Sequence, residues 1–158
     1  MMLIVLGIQA LVVGFPSQVA AQPYDLDISS DSLSIDHAKD HASFTGNVVV
    51  VHDELTLEAD NVEVLYSQAE GARQVDEVRA EGHVRILQGE RVATSEEGVY
   101  HPAKNEVVLS RNVTLTQGTG QTMHGTKLHY DTKLGNVRLT AGSNRVRAKI
   151  GTKTETDK

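Results

Sequence analysis

The chain has 158 residues, a length that fits one domain, and it contains no cysteine. Disulfides, thiolate metal sites and cysteine nucleophiles are therefore excluded. Aromatic residues make up 4% of the chain, tryptophan is absent, and the formal net charge is −6. Neither an aromatic stacking platform nor a basic face for nucleic acid is expected.

The chain begins with a segment typical of a secretory signal peptide. Residues 1–21 carry no charged side chain, and the run from Leu3 to Phe15 is mostly apolar. This run is shorter than the roughly 20 residues that a membrane-spanning helix needs. Val19 and Ala21 provide the small residues of a cleavage site before Gln22. We therefore expect an exported chain, and the absence of cysteine suits the bacterial periplasm.

After the first segment, apolar and polar side chains alternate with a period of two. Such alternation is typical of β-strands with one buried and one solvated face. Turn residues interrupt the alternation repeatedly; they include Gly71, Gly89, Pro102, Gly118, Gly120, Gly135 and Gly142. The chain is therefore predicted to be all-β.

A unit of about 30 residues repeats along the chain. Its units open with an apolar residue at spacings of 31, 34 and 30 positions, at Ile35, Tyr66, Tyr100 and Tyr130. The sixth positions of three units hold Asp40, Asn105 and Gly135. These residue types tolerate a positive φ, as a hairpin with a bulged loop requires. Each repeat is therefore predicted to be an antiparallel hairpin.

The repeat also indicates which side chains face inward. Stacked hairpins with one apolar face must roll up to bury that face, either as a two-sheet sandwich or as a jelly roll. The inward positions hold aliphatic residues and few aromatics, so the centre is either an under-filled slot or a tightly packed core. The inner face is predicted to include Leu26, Ile28, Ile35, Phe44, Val48, Val50, Leu55, Leu57, Val84, Ile86, Val113 and Leu115.

Strands with free edges are expected at both ends of the predicted domain, residues 22–150. The first, from Tyr24 to Ser29, carries Asp25 and Asp27, and the last, around residues 146–150, carries Arg147 and Lys149. Residues 151–158 are expected to be a disordered polar tail.

Charge is distributed unevenly between the two ends. Residues 22–72 contain 11 acids and one base, and residues 73–158 contain 10 acids and 14 bases. This asymmetry is compatible with a solvated surface or with complementary ends that join copies head to tail.

Catalytic and metal-binding motifs find little support. His37 and His41 have a spacing that zinc uses on a helix, but here they span a predicted turn. The string from Gly118 to Lys127 lacks the lysine directly after its second glycine and a following helix, so it is not a phosphate loop. We expect neither a cofactor nor an enzymatic activity.

Several strings resemble the OstA-like family of periplasmic lipopolysaccharide-transport proteins. Ser30-Asp31 followed by Ile35 resembles the family's opening pattern, and Phe44 to Val50 resembles its most recognisable strand. Further similarity is carried by Leu57 to Asp60 with Tyr66, and by Gly125, Leu128 and Tyr130. The similarity covers about residues 26–141, and Arg111 stands where a repeat would have glycine.

The resemblance implies an open, twisted β-jelly roll that is not an enzyme. It implies that the acyl chains of lipopolysaccharide lie along the inner-face residues named above. It also implies head-to-tail oligomers that connect an inner-membrane LptC-like subunit to an outer-membrane LptD-like translocon. In the alternative interpretation, the chain is a secreted β-solenoid that binds or cleaves polysaccharide, which requires a carboxylate pair or aromatic sugar platforms.

Overall fold

The structure is a computed structural model that describes residues 26–69, 71–118 and 120–151. The predicted signal peptide, Asp25 and residues 152–158 lie outside the described residues. Within those ranges the chain forms ten β-strands, one 3-10 turn at Pro102–Lys104 and no α-helix. The strands are β1 (Asp27–Ser29), β2 (Ser32–Asp36), β3 (His41–His52), β4 (Leu55–Ala69), β5 (Ala72–Gln88), β6 (Arg91–His101), β7 (Glu106–Gln117), β8 (Gln121–Asp131), β9 (Val137–Thr140) and β10 (Arg147–Lys149).

The ten strands form one antiparallel sheet. From β3 to β8, each strand pairs with the next strand along the chain, as short hairpin connections favour. At one edge of the sheet, β1 and β2 both pair with β3. At the other edge, β9 and β10 both pair with β8. The predicted all-β, open twisted jelly roll is confirmed, and its strands belong to a single continuous sheet.

The hairpin loops adopt the backbone conformations predicted from the repeat. Asp40, Asn105 and Gly135 have φ angles of 49°, 53° and 73°, and Gly71, in the longer unit, has 80°. Asn105 caps the 3-10 turn and donates its backbone N–H to the Pro102 carbonyl oxygen. Asp and Asn tolerate this left-handed region better than other side chains do, which explains their places in the repeat.

Bulges interrupt the pairing of the long strands. Pairs of consecutive residues with positive φ lie on β3, β5 and β7, at Gly46-Asn47, Gly82-His83 and Arg111-Asn112. The strand register shifts at each of these places. A bulge bends its strand and increases the local twist. Each bulge contains two residues. On the bulged strands, the inward side chains therefore stay at positions an even number apart before and after the bulge, as Phe44 and Val48 do on β3.

Candidate functional site

Two rows of side chains cross the whole sheet on its inner face. The register aligns them from the β2 edge to the β9 edge, one residue per strand. One row is Leu33, Phe44, Val62, Ala80, Gly98, Leu109, Leu128 and Leu139. The other is Ile35, Ala42, Val64, Val78, Tyr100, Val107, Tyr130 and Val137. Cross-strand neighbours on one face are in contact, so each row is a continuous apolar strip.

A third row lies beyond the bulges, on the other half of the long strands. It consists of Ile28, Val50, Leu57, Ile86, Ala93, Leu115, Met123 and Ala148. Ile86 and Leu115 of this row line the same small cavity, about 20 Å³, as Tyr130 and Val137 of the second row. The sheet therefore curls so that its two halves face each other across the aliphatic interior.

The predicted inner-face residues lie on this interior with one correction. Val48, Val50, Leu55, Leu57, Val84, Ile86, Val113 and Leu115 are between 1% and 4% exposed, and Phe44 is 9% exposed. Leu26 and Ile28 are partly buried against the same core. Ile35 was expected inside, but it is 53% exposed. It lies opposite Ala42 on the inner face, but β2 is the outermost strand, so no further strand covers it.

The centre of the interior is packed rather than open. Of the two possibilities that the sequence left open, the described residues favour the packed aliphatic core, because its members are nearly fully buried and the cavity between Ile86 and Tyr130 is only about 20 Å³. Exposure rises at the ends of the rows: Leu33 is 53% exposed on β2, and Val137 on β9 is 36% exposed. The apolar strips therefore emerge into solvent at both edges of the sheet.

A set of polar contacts joins the two halves along one margin. Gln88 Nε2 donates to the Thr132 carbonyl oxygen over 3.2 Å, and Arg91 Nη1 donates to the Gly135 carbonyl oxygen over 3.1 Å. The Tyr130 hydroxyl donates to Gln88 Oε1 and accepts a hydrogen bond from Arg91. We call these four contacts the seam.

A second contact lies near this margin. His52 Nδ1 is 2.6 Å from the Tyr100 hydroxyl oxygen. The repeat pattern marks Tyr100 and Tyr130 only as apolar openers and contains no signal for His52, Gln88 or Arg91. The choice of tyrosine over phenylalanine was an available signal, because a buried phenol oxygen needs a hydrogen-bond partner.

Each bulge faces a carboxylate from a preceding strand or loop. Asn47 Nδ2 donates to Asp31 Oδ2 over 2.9 Å, and Asn112 Nδ2 donates to Glu96. At the middle bulge, His83 Nδ1 lies 2.7 Å from Asp60 Oδ2. This hydrogen bond, assisted by the charge of Asp60, raises the pKa of the exposed His83 above its ordinary value of 6.5.

The predicted interface residues lie on the outermost strands where they are described. Asp27 is exposed on β1, and Arg147 and Lys149 are exposed on β10. The predicted last strand is therefore present. β1 pairs with β3, where Asp27 aligns with Val51, and β10 pairs with β8, where Arg147 aligns with His124. The other edge of each of these two strands has no partner strand among the described residues.

Across residues 26–69, 71–118 and 120–151, no three His, Asp or Glu side chains are placed to hold a metal ion together. The same ranges contain no helix that is long and apolar enough to cross a membrane.

The ten strands and their apolar inner face define an open β-jelly roll. The sequence profile of the family described as LptA/(LptD N-terminal domain) LPS transport protein matches residues 27–136. The chain belongs to this family. Because its members are transport and binding proteins, membership confirms the expectation that the chain is not an enzyme.

Two individual proteins show the same relationship. The uncharacterized protein R00383 of Rhizobium meliloti (strain 1021) is 30% identical over 131 residues, which cover 79% of this chain and 70% of that protein. The crystal structure of LptH from Pseudomonas aeruginosa, described as the LptA-homologous periplasmic component of the lipopolysaccharide transport device, superposes with a TM-score of 0.72. The match covers 82% of this chain and 96% of the LptH chain at 20% sequence identity, so it establishes only that the two proteins share a fold.

Proposed function

We propose that this protein binds lipopolysaccharide in the periplasm and carries it from the inner towards the outer membrane. The acyl chains insert along the inner face, and the sugars stay in water. The observation that carries the proposal is the set of three apolar rows that cross the whole sheet. Family membership and the likeness to a periplasmic lipopolysaccharide-transport component support it.

Acyl chains enter by parting the two halves of the sheet at the seam. The four seam hydrogen bonds are worth about 0.5–1.5 kcal/mol each, so opening them costs a few kcal/mol. Burying a methylene group contributes ~0.8 kcal/mol, so a chain that buries about ten of them gains ~8 kcal/mol. The inserted chain also covers the apolar faces that parting exposes, so the packed core opens for a lipid and closes again in its absence.

Copies join head to tail, so that the rows continue from one protein to the next. The free edge of β10 pairs with the free edge at β1 and β2 of the next copy, and backbone hydrogen bonds supply most of the affinity. Arg147 and Lys149 face Asp25 and Asp27 of that copy and set the register. By the same strand addition, the ends of the assembly contact an LptC-like subunit at the inner membrane and an LptD-like translocon at the outer membrane.

The exposed end of a row provides a test that spares the core. Ile35→Asp places a carboxylate among acyl chains, where it loses water without gaining a partner, so lipopolysaccharide binding should weaken at least several-fold. Ser34→Asp is the matched control, because Ser34 is the adjacent residue of β2 and points to the other face. Binding of labelled lipopolysaccharide is measured for both variants, with thermal melts to show that both are folded. Equal binding by the two variants would show that the acyl chains do not reach the β2 end of the inner face.

A further inference from the structure

The β8 edge of the sheet contains a cleft beside the proposed head-to-tail joint, and Arg147 belongs to both. β9 pairs with β8 at residues 127–130, and β10 pairs with it at residues 122–124. Between these two pairings, residues 141–146 lie outside the sheet, and most of them line the cleft together with β8. The cleft has a volume of about 710 Å³ and is lined by, among others, His124, Thr126, Ser143, Asn144, Arg145 and Arg147.

The wall of this cleft is well defined. A methyl group on Gly125 would lie 2.6 Å from the Thr140 carbonyl oxygen and 2.8 Å from Leu139 Cδ1. The backbone of β8 therefore packs directly against the end of β9. The Thr126 hydroxyl donates to the same Thr140 oxygen over 3.3 Å, and the His124 ring is held by Thr114, with 3.0 Å between Nδ1 and Oγ1. Hydroxyl, amide and ring groups thus line the cleft together with the two arginines.

The charges around the cleft are unbalanced. Residues 118–151 contain six bases and one acid, a formal excess of +5, and no carboxylate lines the cleft. Earlier in the sheet, arginine side chains are neutralised: Arg73 pairs with Asp40, Arg85 with Glu58, and Arg111 with Glu97. Arg145 and Arg147 make no ion pair within the ranges that the structure describes. In a single copy, two arginines facing one cleft without a counter-charge attract an anion.

We propose that this cleft binds a phosphate-type anion. Guanidinium groups bind phosphate oxygens through paired, charge-assisted hydrogen bonds, and two of them complement a dianionic phosphomonoester. The inference rests on the proposed function in one respect, the source of the phosphate. β10 carries Arg147 on the outer face, and the next residue, Ala148, ends the third apolar row opposite Met123. A phosphorylated amphiphile that straddles this edge meets cations on one side and the apolar row on the other.

Binding of three probes to the full chain tests the site: phosphorylated lipid A, the same lipid after removal of its phosphates, and inorganic phosphate. Measurements are made below the concentration at which copies associate. The combined variant Arg145→Gln with Arg147→Gln should bind phosphorylated lipid A at least about tenfold more weakly than the parent chain and the dephosphorylated lipid unchanged. Lys133→Gln with Arg138→Gln is the control, because it removes the same charge elsewhere in the basic segment and should change neither affinity.

The outcomes separate the possible ligands. If inorganic phosphate shifts the amide signals of Gly125 and Thr126 in the parent chain but not in the cleft variant, while both lipids bind equally, the site holds and its ligand is free phosphate. If the cleft variant binds every probe like the parent, the site is excluded, although lipid binding by the inner face would still stand. If Arg145→Gln alone changes only the sedimentation of the chain, the cleft is a contact between copies and the proposal is wrong.

Discussion

His83 Nδ1 lies 2.7 Å from Asp60 Oδ2, where the bulge of β5 faces β4. The bulge of β3 makes the equivalent contact from Asn47 to Asp31, and that of β7 makes it from Asn112 to Glu96. Three strands thus bend at related places with related side-chain contacts. The bends align the apolar rows on both halves of the sheet, so these surface contacts support the geometry of the interior.

The His83 contact predicts a measurable titration. Its folded-state pKa is raised above 6.5 because the protonated ring is hydrogen-bonded to Asp60. The contact therefore contributes its full stability below the unfolded-state pKa and loses it as the pH rises through the raised folded-state pKa. Since both side chains are exposed, the effect on unfolding is small, and NMR titration of the ring is the better measurement. Asp60→Asn should lower the midpoint towards 6.5; an unchanged midpoint would show that the contact is absent in solution.

The bulge of β7 predicts a difference between two substitutions at equivalent positions. Arg111 has a φ of 64°, whereas Gly82, its counterpart on β5, has 79°. A non-glycine residue in this region carries about 1–2 kcal/mol of strain, which exceeds the small contribution of the exposed Arg111–Glu97 ion pair. Arg111→Gly should leave stability unchanged or raise it by up to about 1 kcal/mol, and Gly82→Ala should lower it by about 2 kcal/mol. Urea unfolding of both variants is the check, and a clear loss in Arg111→Gly would contradict the strain argument.

The short distances around Gly98 indicate that the core is closely packed at this point. A methyl group there would lie 3.0 Å from Leu109 Cδ2 and 3.2 Å from Val84 Cγ1. Gly98→Ala should therefore destabilise the fold by about 1–3 kcal/mol through overpacking. Leu109→Val removes the crowding methylene, so the double variant should be more stable than the two single losses predict by addition. If thermal or urea unfolding shows that the stability loss of the double variant equals the sum of the two single losses, Gly98 is not crowded by Leu109.

The edge strand β10 predicts how copies associate. Truncation after Ser143 removes β10 but keeps every strand from β1 to β9, so the chain should remain folded and lose head-to-tail association. Arg147→Glu with Lys149→Glu keeps the strand and should weaken association less, because backbone pairing supplies most of the affinity. Sedimentation across a range of concentrations compares the three forms. Concentration-dependent oligomers of the truncated chain would place the joint elsewhere.

The strands, the hairpin loops and the inward-facing side of each strand could be predicted from the sequence, because each depends on nearby residues. Alternation indicated the buried side of Val84 and Ile86, and residue types suited to a positive φ marked Asp40 and Asn105. The family resemblance added the jelly roll, which the periodicity alone did not distinguish from a two-sheet sandwich.

The remaining features depend on contacts between distant residues. Ile35 opens its repeat in the same sequence pattern as Tyr66, Tyr100 and Tyr130. It is exposed because β2 lies at the edge of the sheet, and a local sequence pattern does not indicate which strand lies at the edge. The seam joins Gln88 to Thr132 and Arg91 to Gly135, and these pairs follow from the register and curl of the whole sheet. The cleft at Arg145 likewise exists because β9 and β10 share one neighbour.

Ile86 and Arg85 distinguish the inner face from the outer face as the place where acyl chains lie. Ile86 is in the third apolar row, whereas the adjacent Arg85 faces outward and pairs with Glu58 over 2.9 Å. A photoreactive amino acid is placed at each position in turn, and the folded protein is irradiated with labelled lipopolysaccharide. If acyl chains lie along the inner face, crosslinking should be strong from position 86 and weak from position 85. Equal crosslinking from both positions, or crosslinking from position 85 alone, would contradict this placement.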